Sequence, residues 1–180
     1  MSSDDLNQDE INQNIKNKEM LLEIFFNTKG SIDDINAEID KKLFGKKVRN
    51  ITLFDKHIRA RLLFNSKVLN LAGQEITPVE AAYLSQYPGL ENVEKLDLRK
   101  NRLGDDGLEV LLSSEKIKNV RNLDLRNNQI TRKGMILLSE TKNLSNLEYL
   151  DLRVNKLGKK WEEKLKGKGQ FPKLYQLRIA

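Results

Sequence analysis

The sequence predicts an α/β solenoid. Strand–turn–helix units coil in a right-handed arc, with one parallel sheet on the concave side, helices on the convex side and a helical cap at the N-terminal end. Three observations predict it. One pattern, LxxLxLxxNxL, occurs three times, over Val93–Leu103, Val120–Ile130 and Leu147–Leu157. Its central leucines, Leu96, Leu123 and Leu150, are 27 residues apart, and the same step reaches Leu69 and Leu177. The segments between the patterns carry apolar residues at helical spacing.

The strand comes first. Side chains two apart share a face of an extended chain. Leu96 and Leu98 therefore point inward together, as do Leu123 with Leu125 and Leu150 with Leu152. The aspartates between them, Asp97, Asp124 and Asp151, point the other way. Asn101, Asn128 and Asn155 follow where the chain leaves the strand. A side-chain amide there can donate to and accept from backbone groups that have lost their sheet partners, and stacked amides form a ladder. Leu103, Ile130 and Leu157 then return to the core.

The helix follows. Over residues 104–117, Leu108, Leu111, Leu112 and Ile117 fit one face; Met135, Leu138 and Leu144 recur one repeat later, and Ala81, Leu84 and Leu90 one repeat earlier. Pro78 suits a first helical turn. The final helical segment, residues 158–169, is rich in glycine and lysine and predicts a shorter, looser helix held by Trp161 and Leu165. Trp161 and Phe171 are both expected in the core.

With its repeat length and helical convex segments, the stretch 66–180 resembles the ribonuclease inhibitor-like class of leucine-rich repeats. That resemblance implies a horseshoe arc of four repeats plus a final strand, and protein partners rather than catalysis.

Ahead of it, residues 1–17 read as a polar tail and 18–45 as a helical N-terminal cap covering the core of the first repeat. Residues 46–65 read as a degenerate first repeat, with Ile51 and Leu53 in strand positions; the competing reading is a helix through Leu53 to Phe64. The chain ends inside a strand, Leu174–Ala180, whose open edge could pair with a second copy.

Composition narrows the function. There is no cysteine, which removes disulfides, thiol catalysis and cysteine-bound zinc. No apolar run approaches the roughly 20 residues of a membrane span, and the N-terminus lacks the basic and apolar regions of a signal peptide. The expected location is the cytoplasm, with leaderless secretion as an effector left open. Net charge is +6, with residues 1–45 at −5 and 46–180 at +11.

Candidate binding residues are the outward strand positions, which line up in columns across the sheet. Lys95, Asn122, Tyr149 and Gln176 form one column, Asp97, Asp124, Asp151 and Arg178 a second, and Arg99, Arg126 and Arg153 a third. The aspartate and arginine columns can neutralise each other, which gives a soluble inner face, or present a fixed charge pattern to a protein partner with Tyr149 as an aromatic anchor. The alternative partner is an anion, nucleic acid or anionic membrane, on the lysine cluster Lys156, Lys159, Lys160, Lys164, Lys166, Lys168 and Lys173. No cofactor or metal is expected: carboxylates in a sheet column diverge, whereas hard cations need converging oxygens. His57, the one histidine, reads as a surface residue, and no phosphate-binding loop occurs.

Overall fold

A computed structural model of the chain describes residues 51–155, 157, 161, 164–165 and 170–179. The expected tail and N-terminal cap lie outside the described residues.

Five short strands form one sheet: β1 (Val68–Asn70), β2 (Lys95–Asp97), β3 (Asn122–Asp124), β4 (Tyr149–Asp151) and β5 (Gln176–Arg178). They lie in chain order, every pair parallel. Leu69, Leu96, Leu123, Leu150 and Leu177 are successive register partners, so the 27-residue step of the sequence becomes one step across the sheet. All five leucines are buried, as are Leu71, Leu98, Leu125 and Leu152 two residues on. Ile76, Leu103 and Ile130 close the core behind them, while Leu157 is half-buried.

The helices run between the strands. Helix α2 (Pro78–Gln86) starts with a reciprocal cap. The Thr77 hydroxyl accepts from the Val79 N–H, Glu80 accepts from the Thr77 N–H at 2.8 Å, and Pro78 supplies the first turn. Helix α3 (Gly104–Ser113) is shorter than the sequence pattern implied. Ser114 is extended, and its hydroxyl accepts from Lys116 N–H to open a separate one-turn 3-10 helix, Glu115–Ile117. The apolar residues still face inward, with Leu108, Leu111, Leu112 and Ile117 all buried. Helix α4 (Arg132–Leu138) buries Met135 and Leu138. In the last convex segment, positions 161, 164 and 165 are helical. Leu165 and Phe171 are buried, but Trp161 is half-buried with Lys164 Nζ 4.5 Å from its ring centre, so it is not the core residue expected.

The expected degenerate repeat is overturned. Ile51–Phe64 forms a helix, α1. A strand would have buried Ile51 and Leu53 together; instead Ile51 and Ile58 are buried and Leu53 is 62 % exposed, the spacing of a helix. The helix lies against the first repeat. Asp55 accepts from the Tyr83 hydroxyl at 3.1 Å, Phe54 meets the Tyr83 ring edge-on, and a Cβ at Gly89 would lie 2.9 Å from the end of the Leu62 side chain.

Candidate functional site

The register brings the predicted columns together. Lys95, Asn122, Tyr149 and Gln176 are successive partners across the sheet, led by Val68; Asp97, Asp124, Asp151 and Arg178 are successive partners, led by Asn70. These residues flank the buried leucines and so occupy the opposite, outward face.

The second column does more than display charge. Each of its first four side chains accepts a hydrogen bond from the backbone N–H two residues on: Asn70 from Ala72, Asp97 from Arg99, Asp124 from Arg126 and Asp151 from Arg153, at 3.0–3.2 Å. This Asx geometry ends the strand at the same point in every repeat. The arginines then fold back. Arg99 lies 3.2 Å from Asp97, Arg126 donates to both oxygens of Asp124, and Arg153 to both oxygens of Asp151. Arg126 also bridges diagonally to Asp151 at 3.6 Å.

Asp151 is the centre of this network and is fully buried. It takes hydrogen bonds from Arg153 and, at 2.9 Å, from the Tyr149 hydroxyl. Burial pushes its carboxyl up, but the Arg153 side chain and backbone and the Tyr149 hydroxyl together outweigh it, so the carboxyl sits below its ordinary value. The same contacts raise Tyr149, through burial first and then the bond to Asp151, and raise Arg126 through its bond to Asp124. Arg178 lies 5.7 Å from the Tyr149 ring centre, and with the Gln176 amide oxygen turned toward it donates to that oxygen at 2.8 Å. The face is thus rigid and largely self-paired at the aspartate–arginine columns. Lys95, exposed, and Asn122, Tyr149 and Gln176, half-buried, line the remaining column.

The asparagine ladder has the geometry its spacing implied. Asn101 Nδ2 donates to Leu71 O and Leu98 O, Asn128 Nδ2 to Leu98 O and Leu125 O, and Asn155 Nδ2 to Leu125 O and Leu152 O. Each amide thereby ties its own turn to the one before. Asn128 Oδ1 is the exception, buried with no donor. The facing turn differs, with Leu103 already helical and Gly104 at φ +60°.

A second ladder was missed. Asn119 Nδ2 donates to Glu91 O, Asn146 Nδ2 to Lys118 O, and Lys173 Nζ to Asn146 Oδ1. Asn92, Asn119 and Asn146 keep the same 27-residue step, so the period alone could have revealed it.

Of the lysine cluster, Lys156, Lys159, Lys160, Lys166 and Lys168 lie outside the described residues. Lys164 and Lys173 are engaged with Trp161 and Asn146. Among the described residues no three acidic, histidine or cysteine side chains are placed to hold a metal ion, and no helix is long and apolar enough to cross a membrane.

Sequence reasoning also missed a cavity of about 450 Å³ where α1 meets the outward face of β1, lined by His57, Ala60, Arg61, Phe64, Asn65, Val68 and Asn70. His57 is half-buried, not a plain surface residue, and its Nε2 accepts from Arg61 Nε at 2.8 Å. Burial, then the Arg61 charge, lowers its pKa, so the ring is neutral near pH 7.

No curated protein matches the chain. Residues 89–112 and 116–139 match the family model described as Leucine Rich repeat. Those two segments enclose β2 and β3, and the same register carries the pattern from Leu69 to Leu177. The chain carries leucine-rich repeats over residues 89–139.

Proposed function

We propose that the protein is a non-enzymatic scaffold that captures a protein partner on the outward face of its sheet. Leucine-rich repeats commonly mediate protein–protein interaction. The observation that carries the reading to this face is the in-step register of five strands. It holds Lys95, Asn122, Tyr149, Gln176 and Arg178 in fixed positions, with Tyr149 steadied by Asp151. A surface ordered before binding loses little conformational entropy on docking, and aromatic and arginine side chains are the usual anchors.

The test is affinity capture from the native cell with the wild type and a Tyr149→Ala/Arg178→Glu double variant. The expected result is a defined protein retained by the wild type and lost from the variant. Capture that survives the double variant but disappears with rising salt and with Lys159→Glu/Lys160→Glu would instead place the activity on the lysine cluster and overturn the reading.

A further inference from the structure

The cavity beside β1 has a chemical bias that points to its occupant. Its floor is apolar: Ala60, Phe64 and Val68 line it, and Phe64 is 94 % exposed. An aromatic side chain held almost wholly in water at the end of a helix contributes nothing to the core.

The polar lining is one-sided. Asn65 Oδ1 accepts from the Lys67 N–H, Asn70 Oδ1 from the Ala72 N–H, and His57 Nε2 from Arg61. Nearby backbone carbonyls are also taken, Arg61 O by the Asn65 N–H and Asn65 O by the Val68 N–H. Each of these acceptors thus already has one donor, whereas the donors of the lining, two side-chain amides, the terminal nitrogens of Arg61 and the Nδ1–H of neutral His57, have no acceptor among the described residues. Arg61 has no carboxylate partner among the described residues, whereas Arg59, one turn away from Asp55 on the same helix, does. Among the described residues no acidic side chain lines the cavity.

We propose that this cavity anchors an acidic, extended segment of a partner protein. A large apolar side chain of the segment rests on Phe64 and Val68, and a neighbouring carboxylate is held by Arg61 with the Asn65 and Asn70 amides. The inference rests on the scaffold reading above and names the partner's chemistry. Val68 heads the outward column that continues through Lys95, Asn122 and Tyr149, so a chain leaving the cavity runs on across the proposed face. With strands about 4.8 Å apart and an extended chain advancing about 3.3 Å per residue, about six residues reach from β1 to β5. The exposed Lys95 beside Val68 in that column adds a cation at the start of the path.

A displayed library of random short peptides, selected against the full chain, tests this. Enriched peptides are expected to place Asp or Glu beside Leu, Ile, Phe or Trp. Synthetic copies should lose about tenfold or more in affinity against Arg61→Glu and against Phe64→Ser, and again when their acid is replaced by its amide. Phe64 is exposed, so Phe64→Ser leaves the fold intact, and circular dichroism checks both variants. Selected peptides unaffected by both variants, or indifferent to loss of their acid, overturn the proposal. If such peptides are nonetheless lost with Tyr149→Ala/Arg178→Glu, the cavity assignment fails while the sheet-face reading stands; if they ignore all of these changes, both fail. Retention of anionic lipid vesicles through Arg61 without any peptide selected also overturns it.

Discussion

At the scale of single residues, the turn after each strand requires a left-handed backbone. Gly73, Lys100, Asn127 and Val154 occupy that position in successive repeats, all with φ between +52° and +65°. Glycine and asparagine adopt it readily, but a β-branched residue there is strained by about 1–3 kcal/mol. Val154 is also 73 % exposed, so no packing offsets the strain. Val154→Asn, which copies Asn127, is expected to raise stability by about 1 kcal/mol in urea denaturation. Asp151 makes the opposite case. Asp151→Asn keeps an oxygen for the Tyr149 hydroxyl but removes the charge facing Arg126 and Arg153, and should cost about 1–2 kcal/mol at pH 7. Because the folded carboxyl titrates below its unfolded value of about 3.9, its contribution is complete above that pH and fades as pH falls through the folded value. The stability gap between wild type and Asp151→Asn should therefore narrow below about pH 4 when denaturation midpoints are compared across pH. The sequence placed these aspartates on the outward face but not in this role. An LDL stretch reveals the side a carboxylate faces, but not that the chain turns back on it two residues later through the Asx bond and the arginine, and the diagonal from Arg126 to Asp151 appears only once neighbouring strands are stacked.

At the scale of elements, the strands and the asparagine turns were legible because their period is fixed by backbone geometry: two residues for a face, 27 for a coil. What connects repeat to repeat through side chains was less so. Asp105 sits in a GDDG sequence that reads as a turn, yet its carboxylate reaches one repeat onward. It accepts from the Thr131 N–H at 2.8 Å and the Gly134 N–H at 2.9 Å, and from the Thr131 hydroxyl. It therefore caps α4 from outside, supplying an acceptor and a negative charge to the helix start. Asp105→Ala is expected to cost about 1–2 kcal/mol and to loosen α4 first, read as faster amide exchange at Gly134 and Met135. Gly134 belongs to the same device, since a Cβ there would lie 2.5 Å from Asp105 Oδ1. The misread element was α1, and the cause is instructive. Over residues 51–58 the apolar residues Ile51, Leu53 and Ile58 satisfy both the strand template and a loose helical one. Only the burial of Ile51 and Ile58, with Leu53 left outside, separates them. The cavity beside β1 exists because that segment is a helix, so it could not be foreseen from a strand reading.

At the scale of the whole repeat array, each coil contacts mainly its neighbours, and stability is distributed accordingly. Leu98 and Leu125 donate to Asp124 and Asp151 across the sheet at 2.8–2.9 Å, their carbonyls each take two asparagine amides, and their side chains are fully buried. At β5 the Leu152 N–H still reaches Arg178 O at 2.7 Å, but the bonds of Tyr175 and Gln176 to Glu148 O are 3.1–3.2 Å, Leu177 keeps 8 % exposure, and among the described residues the strand has a sheet partner on one side only. Opening should therefore begin at β5 and reach β2 and β3 last. In hydrogen exchange, the amides of Leu98 and Leu125 are expected to be the slowest of the sheet and that of Gln176 the fastest. Truncation follows the same order: Leu123→Ala should cost about 3 kcal/mol, and Leu177→Ala less, because part of its side chain already meets water. Uniform protection across all five strands would mean that the array opens as one unit. The proposed docking face spans the same gradient, with Lys95 and Asn122 over the firm middle and Gln176 and Arg178 over the looser end. A partner that covers the whole face would then slow exchange most at β5, where the free protein opens most often, and least at β2 and β3, where there is little opening left to suppress.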